Sequence, residues 1–461
     1  MDLDSAGAKI SMTRTREAEL ASSELGSQAH TAHGNPRRRL RVLIVALNYA
    51  PEITGNAPYT AGLATGLSDR GHQVRVLTGL PHYPQWRLAP GYEDREVHRR
   101  EFIDSVPVSR LRHHIPTPPT GRGRIRMEAS FGGRVAVTRW PSHDVLVCPV
   151  PGLLPTGLCV GRTKYRRRHA PVVTWVQDLY SLGVVETGFL SGRPARLTGA
   201  LEGQILRNSD AVVAIHDSFK SHIVNNLGVR ADAVEVIRNW THLRPTELSD
   251  RNATRSRFGW RNDELIVLHA GNMGVKQGLE NVVATAQLAA ASHANVRFVL
   301  LGDGNQRSHL EQLGAGIPTL QFIRPLPTDD FRSAMAAADI LLVNDRPGVG
   351  AMSMPSKLTS YFTTGNPVVA ATEACSTTAY ELAATGAGMV VPPDDPRALL
   401  DTLTRLAANG ALRDTLARAG RQYSATVLSA NHAIDRFETL LTRLTFQRNS
   451  AAQASKGTFH Q

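Results

Sequence analysis

The stretch from Met352 to Ala370, MSMPSKLTSYFTTGNPVVA, combines a lysine and a hydroxyl group with the signals of a helix start. Pro355 suits the first turn of a helix, and Ser356 and Lys357 follow it directly. A helix start offers unpaired backbone N–H groups and a partial positive charge, which together favour a phosphate. The residues therefore predict a phosphate site, with an ordinary helix-to-strand turn of an α/β domain as the alternative.

Two further turns upstream carry glycines after apolar runs. The first contains Gly271, Asn272 and Lys276, so that backbone can approach a ligand closely while a lysine supplies charge for a diphosphate. It matches neither the Walker pattern nor the Gly-x-Gly-x-x-Gly dinucleotide pattern. The second contains Gly302 and Gly304 and is, taken alone, typical of a tight strand-to-helix connection. Three such turns in one α/β unit indicate a cleft for a nucleotide-sugar diphosphate.

The elements that must position these residues form two α/β halves. Continuous apolar strands with helices between them predict parallel sheets buried on both faces, in a doubly wound fold. The predicted units are a disordered leader over residues 1–38, a domain over 39–240, a second domain over 250–430, a helix over 431–446 and a disordered tail over 447–461. Ligands of such sheets bind at the carboxyl ends of the strands, where all three turns are expected.

The composition fits a folded protein of two or three domains in a reducing compartment. The chain has 461 residues, 42% of them hydrophobic, and only three cysteines. Cys148, Cys159 and Cys375 show no CxxC or Cys/His metal spacing. We therefore expect buried, unreactive thiols, and neither a disulfide framework nor a zinc site.

The net charge of +12 is unevenly distributed along the chain. Residues 39–240 contain 26 Lys+Arg and 16 Asp+Glu, whereas residues 241–445 contain 19 of each. A solvated basic face is one explanation, and attraction to an anionic membrane surface or a phosphate-bearing acceptor is another. We expect no nucleic-acid partner, because no aromatic-interleaved basic motif or reader signature is present.

No apolar run is long enough for a membrane-spanning helix. The longest, Val145 to Val160, contains three prolines and is followed by the basic run Lys164 to Arg168. It predicts either a strand with a partly buried helix, or an apolar patch in lipid with the arginines on headgroups. Residues 1–38 lack the apolar core of a signal peptide. We expect a cytoplasmic protein, peripheral on the inner face of the plasma membrane.

An ordered series of motifs runs along the chain: Asn48 to Gly55 (NYAPEITG), Pro81 to Pro84 (PHYP), Val176 to Tyr180 (VQDLY), Arg238 to Trp240 (RNW), Gly271-Asn272 with Lys276 to Gly278, Pro355 to Leu358 (PSKL), and Val390 to Asp394 (VVPPD). In this order the motifs resemble the retaining family 4 glycosyltransferases, in their colanic-acid-type branch. The resemblance covers about residues 40 to 445. It implies the GT-B architecture, in which two Rossmann-like domains face a central cleft and hold the acceptor and the nucleotide sugar respectively.

The resemblance also implies roles for residues of the second half. Lys276 matches the lysine that contacts the donor diphosphate, and Lys357 is a candidate to replace an arginine that many relatives have where Asn272 stands. Met352 and Ser360 stand where the wider family has two glutamates, and Glu381 is our substitute for them. The resulting donor-binding set is Gly271, Asn272, Lys276, Gly302, Gly304, Arg324, Leu326, Pro355, Ser356, Lys357 and Glu381.

The chemistry implied by the family needs few side chains. In the retaining GT-B reaction the leaving diphosphate helps to deprotonate the acceptor, so Lys276 and Lys357 would stabilise its growing charge. Asp178 is a candidate to orient the acceptor or act as a base, with helix capping as the alternative. The acceptor-side loop is Thr54, Gly55 and Asn56. We expect no cofactor and no metal, because Asp-x-Asp occurs only in the leader.

The leading hypothesis is a hexosyl-type glycosyltransferase that acts on a lipid-linked or polysaccharide acceptor. A nucleotide-sugar 2-epimerase with the same architecture is one rival, and turnover of donor without acceptor would distinguish it. A non-catalytic GT-B-like binding subunit is the other, and it would bind donor without turnover. The donor sugar, its base and the linkage are left open by the sequence.

Overall fold

A computed structural model describes residues 39–53, 55–93, 98–165, 170–181, 193–240, 250–349 and 356–457. The predicted leader lies outside these residues. Two parallel sheets, each covered by helices on both faces, form what we call the first lobe and the second lobe. The prediction of a doubly wound α/β fold in two halves is confirmed.

The first lobe contains an eight-stranded sheet in the order β3-β4-β2-β1-β5-β6-β7-β8. The strands are β1 (Arg41–Ala46), β2 (Gln73–Gly79), β3 (His98–Ile103), β4 (Val106–Leu111), β5 (Val145–Val150), β6 (Val172–Val176), β7 (Ala211–Ala214) and β8 (Val234–Val236). All neighbouring strands are parallel except β3 and β4. The central strands β5 and β6 are buried along their whole length, which is why they consist of continuous apolar residues.

Helices cover the two faces of this sheet. They are α1 (Ala57–Asp69), α2 (Gly121–Val137), α3 (Leu153–Lys164), α4 (Arg193–Arg207) and α5 (Asp217–Asn225). Helices α1 and α5 pack on the face that contains Val42 and Ile44, whereas α2, α3 and α4 pack on the face that contains Leu43 and Val45. The alternation follows from the twofold side-chain period of a strand.

The second lobe contains a six-stranded parallel sheet in the order β11-β10-β9-β12-β13-β14. Its strands are β9 (Leu265–Ala270), β10 (Val296–Leu301), β11 (Leu320–Ile323), β12 (Ile340–Asn344), β13 (Val368–Ala371) and β14 (Gly388–Val391). Its helices are α6 (Arg251–Phe258), α7 (Glu280–Ala291), α8 (Arg307–Leu313), α9 (Thr328–Ala337), α10 (Ser356–Thr364), α11 (Thr377–Thr385), α12 (Pro396–Ala408) and α13 (Gly410–Thr426).

The last helix, α14 (Ala430–Gly457), returns to the first lobe. Its Ile434, Phe437 and Leu441 are buried in the core beside α1 and β6, and the rings of Phe437 and Trp175 are 4.8 Å apart. The predicted end of this helix near residue 446 is wrong, and so is the disordered tail over 447–457. The chain has no glycine or proline between 447 and 456 and is rich in alanine there, so nothing ends the helix before Gly457.

The apolar segment from Val145 to Val160 is core rather than a lipid-facing patch. Strand β5 is buried throughout, and α3 buries Leu153, Cys159 and Val160 against α2 and the sheet. The arginines 166–168 of the adjoining basic run lie outside the described residues. Cys148 and Cys159 are buried as predicted, whereas Cys375 is exposed, which corrects the expectation of three buried thiols.

Candidate active site

The turns after β9 and β10 lie back to back at the carboxyl edge of the second sheet. The Gly271 amide donates a hydrogen bond to the Leu301 carbonyl at 2.8 Å. A Cβ on Gly302 would lie 1.9 Å from the Gly271 carbonyl oxygen, and one on Gly304 would lie 2.3 Å from the Met273 carbonyl oxygen. The close packing of the two turns is therefore sufficient to require glycine at 302 and 304, with or without a ligand.

Lys357 lies in the first turn of α10, and its side chain lies against the β9 turn. Its Nζ donates to Nε2 of His269 at 3.1 Å. A Cβ on Gly271 would lie 3.0 Å from Cε of Lys357, so a larger residue there would press on the lysine stem. The structure thus brings together Lys357 and Gly271, which belong to two motifs far apart in the sequence.

Burial controls the protonation of this cluster. It lowers the pKa of Lys357 to about 8, although the Asp345 carboxylate opposes the shift. Burial and the Lys357 charge hold the pKa of His269 well below its ordinary value, so His269 is neutral at pH 7. Burial also raises the pKa of Asp345, whose Oδ2 accepts from Thr372 Oγ1 at 2.8 Å. A lysine in this state is still mostly protonated at pH 7 and would be stabilised by a further anion.

The loop that carries Lys276 is fixed from two sides. Gln277 Oε1 accepts from the Gly274 amide at 3.1 Å and from Asn272 Nδ2 at 3.2 Å. Asn344, at the end of β12, donates to the carbonyls of Gln277 and Gly278 at 2.8 and 2.9 Å. Lys276 itself is exposed at the carboxyl edge of the sheet. The loop is therefore held rigidly while its lysine faces solvent.

The sequence analysis did not select His269, Asn344 or Asp345. Each lies at or next to the carboxyl end of an apolar strand, β9 for His269 and β12 for the other two. A polar residue at that point of a strand is a usable signal, since ligands of parallel sheets bind at this edge. These three side chains organise the surroundings of Lys276 and Lys357.

The remaining donor-side predictions are placed as follows. Arg324 is exposed and Leu326 is partly buried, and both follow β11 at the same edge of the sheet. Pro355 lies outside the described residues, and Ser356 is the first residue of α10. None of these positions is contradicted, and their contacts with a nucleotide stay a prediction.

Glu381 has partners other than those expected of a donor-binding residue. Its Oε2 lies 3.1 Å from His216 Nε2 and 3.2 Å from Arg238 Nη1, both in the first lobe. Its Oε1 accepts from the Tyr423 hydroxyl at 2.6 Å. Burial alone would raise the pKa of Glu381, but these partners lower it below its ordinary value. In this structure Glu381 ties the two lobes together, and a contact with the sugar stays a prediction.

On the acceptor side, two of the family-like motifs hold each other. Glu52 Oε1 accepts from the backbone amides of His82 and Tyr83, both at 2.8 Å. Asn56 begins α1, and its buried Nδ2 has no hydrogen-bond partner within the described part of the chain. Gly55 precedes it with a φ of 65°, and Thr54 lies outside the described residues. The described residues therefore place a buried amide group without a protein partner at the start of α1.

Asp178 follows β6 and is exposed, and its role towards an acceptor stays a prediction. Its neighbour Gln177 is buried and accepts from Asn239 Nδ2 at 2.6 Å, which joins two further family-like motifs. Arg110 of β4 is fully buried and paired with Glu101 of β3. It belongs to the core of the lobe and not to a charged surface.

Within the described residues, no group of His, Cys, Asp and Glu side chains is placed to hold a metal ion. An open cavity of about 540 Å³ lies between β8, α5 and α14, and Lys220, Glu235 and Arg436 contribute to its lining. It includes none of the predicted site residues. The predicted site residues lie instead at the carboxyl edges of the two sheets, and their role in the chemistry stays a prediction.

Matches to two family descriptions identify the chain as a glycosyltransferase of the GT-B architecture. Residues 54–240 match the family described as "Glycosyl transferase 4-like domain", and residues 264–409 match "Glycosyl transferases group 1". The chain belongs to the family 4-type GT-B glycosyltransferases, as the motifs predict.

Relatives of known sequence and structure agree with this assignment. The chain is 29% identical over 352 residues to the putative colanic acid biosynthesis glycosyl transferase WcaI of Escherichia coli, which covers 73% of this chain and 84% of that protein. Sucrose-phosphate synthase of Thermosynechococcus elongatus has a similar fold, with a TM-score of 0.64, 17% identity, and coverage of 88% and 99% of the two chains. Anabaena HepE in complex with UDP also has a similar fold, with a TM-score of 0.63, 16% identity, and coverage of 88% of this chain and 100% of that chain.

Proposed function

We propose that this enzyme transfers a sugar from a nucleoside-diphosphate sugar to a lipid-linked or glycan acceptor, with retention, in cell-surface polysaccharide biosynthesis. The observation that carries the proposal is the position of Lys357, whose partly buried ammonium lies against the Gly271 turn. A positive charge beside close-packed backbone suits the diphosphate of a leaving nucleotide.

The names of similar proteins support the donor and the pathway. The Escherichia coli relative is described as a colanic acid biosynthesis enzyme, and the Anabaena structures contain UDP and UDP-glucose. Lys357 would supply the positive charge of the arginine that many relatives have at the position of Asn272. Asn272 itself donates a hydrogen bond to Gln277. Lys276 and Lys357 would then stabilise the charge that develops on the leaving diphosphate.

The acceptor binds on the first lobe in this proposal. Asp178 is exposed at the end of β6, and Asn56 offers a buried amide at the end of β1. A lipid-linked acceptor requires work at a membrane surface, so peripheral attachment on the cytoplasmic face is part of the proposal. Within the described chain no helix is both long and apolar enough to span a bilayer.

The test begins with thermal unfolding in the presence of UDP, GDP and their hexose conjugates. A specific nucleotide raises the unfolding temperature, because it binds the folded state alone. The selected donor is then incubated with a membrane extract, and the anomeric configuration of the product is read by NMR. Stabilisation without transfer to any acceptor fraction would leave a binding protein, and an inverted product would contradict retention.

A further inference from the structure

One face of the first lobe is strongly basic. It is formed by α2, α3 and α4, which we call the basic face. These helices contain four, two and three Lys+Arg residues, and only two acidic residues, Glu128 and Glu202. Both acidic side chains are buried, so no acidic side chain of these three helices reaches solvent.

The three helices form one continuous layer. Arg162 of α3 donates to the carbonyls of Val135 and Ala136 at the end of α2, at 2.9 and 2.8 Å. Lys164 Nζ donates to Asn208 Oδ1, just beyond α4, at 2.7 Å. All three helices pack on the same side of the sheet, so their outer surfaces point away from it together.

The same face exposes apolar side chains. Among the large hydrophobic residues that the structure describes as exposed, six lie on this layer. They are Ile125, Val137, Leu158, Tyr165, Leu197 and Leu201. Two partly exposed tryptophans stack with arginines of this layer. Trp86 contacts Arg124 in the first turn of α2, and Trp140, just beyond the end of α2, contacts Arg162 of α3. Single exposed apolar residues are normal, but their concentration in one basic layer is not.

The opposite side of the same sheet provides an internal comparison. Helices α1, α5 and α14 contain five basic and four acidic residues in total. Helix α1 has one acidic residue and no basic one, α5 has one of each, and α14 has four basic and two acidic residues. That side is therefore nearly neutral, although it belongs to the same lobe. An Arg-rich composition of the whole protein does not explain the difference between the two sides.

We infer that the basic face is a docking surface for an anionic lipid bilayer. Cationic side chains attract phosphate headgroups, while exposed apolar and aromatic side chains enter the boundary between headgroups and acyl chains. A second copy of this face is disfavoured, because like charges would meet. The N-terminus of α2 follows the carboxyl end of β4, so the face borders the acceptor edge of the sheet. The inference rests on the proposed function at one step: the lipid-linked acceptor is the reason to choose a lipid bilayer among the possible anionic partners.

The experiment is vesicle co-sedimentation of the full chain at low salt, with no donor present. We expect binding to vesicles of phosphatidylcholine with 30 mol% phosphatidylglycerol, no binding to phosphatidylcholine alone, and release by 0.5 M salt. Arg122→Glu with Arg126→Glu should weaken binding at least about 20-fold, since each basic residue contributes to surface attraction. Ile125→Ser with Val137→Ser should weaken it about fivefold.

The matched control is Arg397→Glu with Arg418→Glu, two exposed arginines of the second lobe with the same total charge change. It should bind vesicles as the wild type does. Failure of the wild type to bind anionic vesicles, or an equal loss in the control, would overturn the inference. Binding of duplex DNA by the wild type, without binding of vesicles, would also overturn the inference. Stabilisation by UDP, measured on every variant, tests the donor site separately from the docking surface.

Discussion

Replacing Lys357 by methionine should stabilise the nucleotide-free protein while removing its response to nucleotide. The pKa of Lys357 is about 8 in the folded protein and 10.5 for a solvated lysine, because burial disfavours the charged form. Each pKa unit corresponds to about 1.4 kcal/mol, so keeping this ammonium charged at pH 7 costs about 3 to 4 kcal/mol. Methionine has similar length and no charge, and so removes that cost.

The stability difference between the wild type and Lys357→Met should depend on pH in a definite direction. Because the folded pKa lies below the unfolded one, the unfolded wild type binds more protons between about pH 8 and 10.5. Wild-type stability therefore gains from this group as pH rises through that window, whereas the methionine variant has nothing to titrate. The advantage of Lys357→Met should be largest at pH 7 and shrink towards pH 10, as measured by chemical unfolding of both proteins at each pH.

Bound nucleotide should make the wild type more stable than Lys357→Met, the reverse of their order without nucleotide. At pH 7, saturating UDP or the donor found by screening should stabilise the wild type and have little effect on Lys357→Met. Lys220→Met, a change of the same type on α5, is the control and should behave as the wild type throughout. A methionine variant that is less stable at pH 7, or equal stabilisation of both proteins by nucleotide, would refute the assignment of Lys357 as a buried cation kept for a phosphate.

Three further outcomes are expected. Lys276→Ala should lower turnover about 30- to 1,000-fold at saturating donor with unfolding unchanged, because it loses a contact made mainly in the transition state; a wild-type rate would remove Lys276 from the site. Transfer should persist in EDTA, and full inactivation that Mg2+ or Mn2+ restores would contradict the proposed metal-free reaction. Glu381→Gln should destabilise the protein by about 2 kcal/mol at pH 7, since Arg238 and His216 lose their shared carboxylate and Arg238 keeps only Asp217. As Glu381 has a lowered pKa, the difference should shrink as pH falls through that pKa, and a pH-independent difference would count against the ion pair.

The strands that the sequence predicted best are those buried on both faces. Strands such as β6 and β10 each contain a single polar residue, Thr174 and Arg297 respectively, and this nearly continuous apolar pattern is typical of parallel strands. Strand β3 was not predicted, because this antiparallel edge strand begins with four consecutive ionisable residues, His98 to Glu101, and shows no alternation. Helix α2 was not predicted either, because its four glycines and four arginines hide the helical period. Local patterns do not show which side chains meet a sheet edge or a neighbouring helix.

The candidate site was predictable in its motifs but not in its contacts. Lys276, Gly271 and Lys357 were selected from glycine-bearing turns and a helix start. The contact of Lys357 with His269 joins residues 88 positions apart, and the tie between Glu381 and His216 joins residues 165 apart. Such pairings depend on strand order, which a single sequence does not specify. The burial of most of Val145 to Val160 was not predictable for the same reason: β5 lies inside its sheet and α3 packs against α2, which leaves Leu158 as the exposed large apolar residue of the segment.

The return of α14 to the first lobe has a consequence for the order of folding during synthesis. Roughly 200 residues separate Trp240 from Phe437, and both belong to one core. At the usual rate of translation this core stays open for about 10 to 40 s after its strands have been made. The second lobe, made later, can close first, because α6 to α13 and β9 to β14 all precede α14. Until then the groove for Phe437 and Leu441 is an apolar surface that a chaperone can bind, and a chain cut before α14 would keep it open.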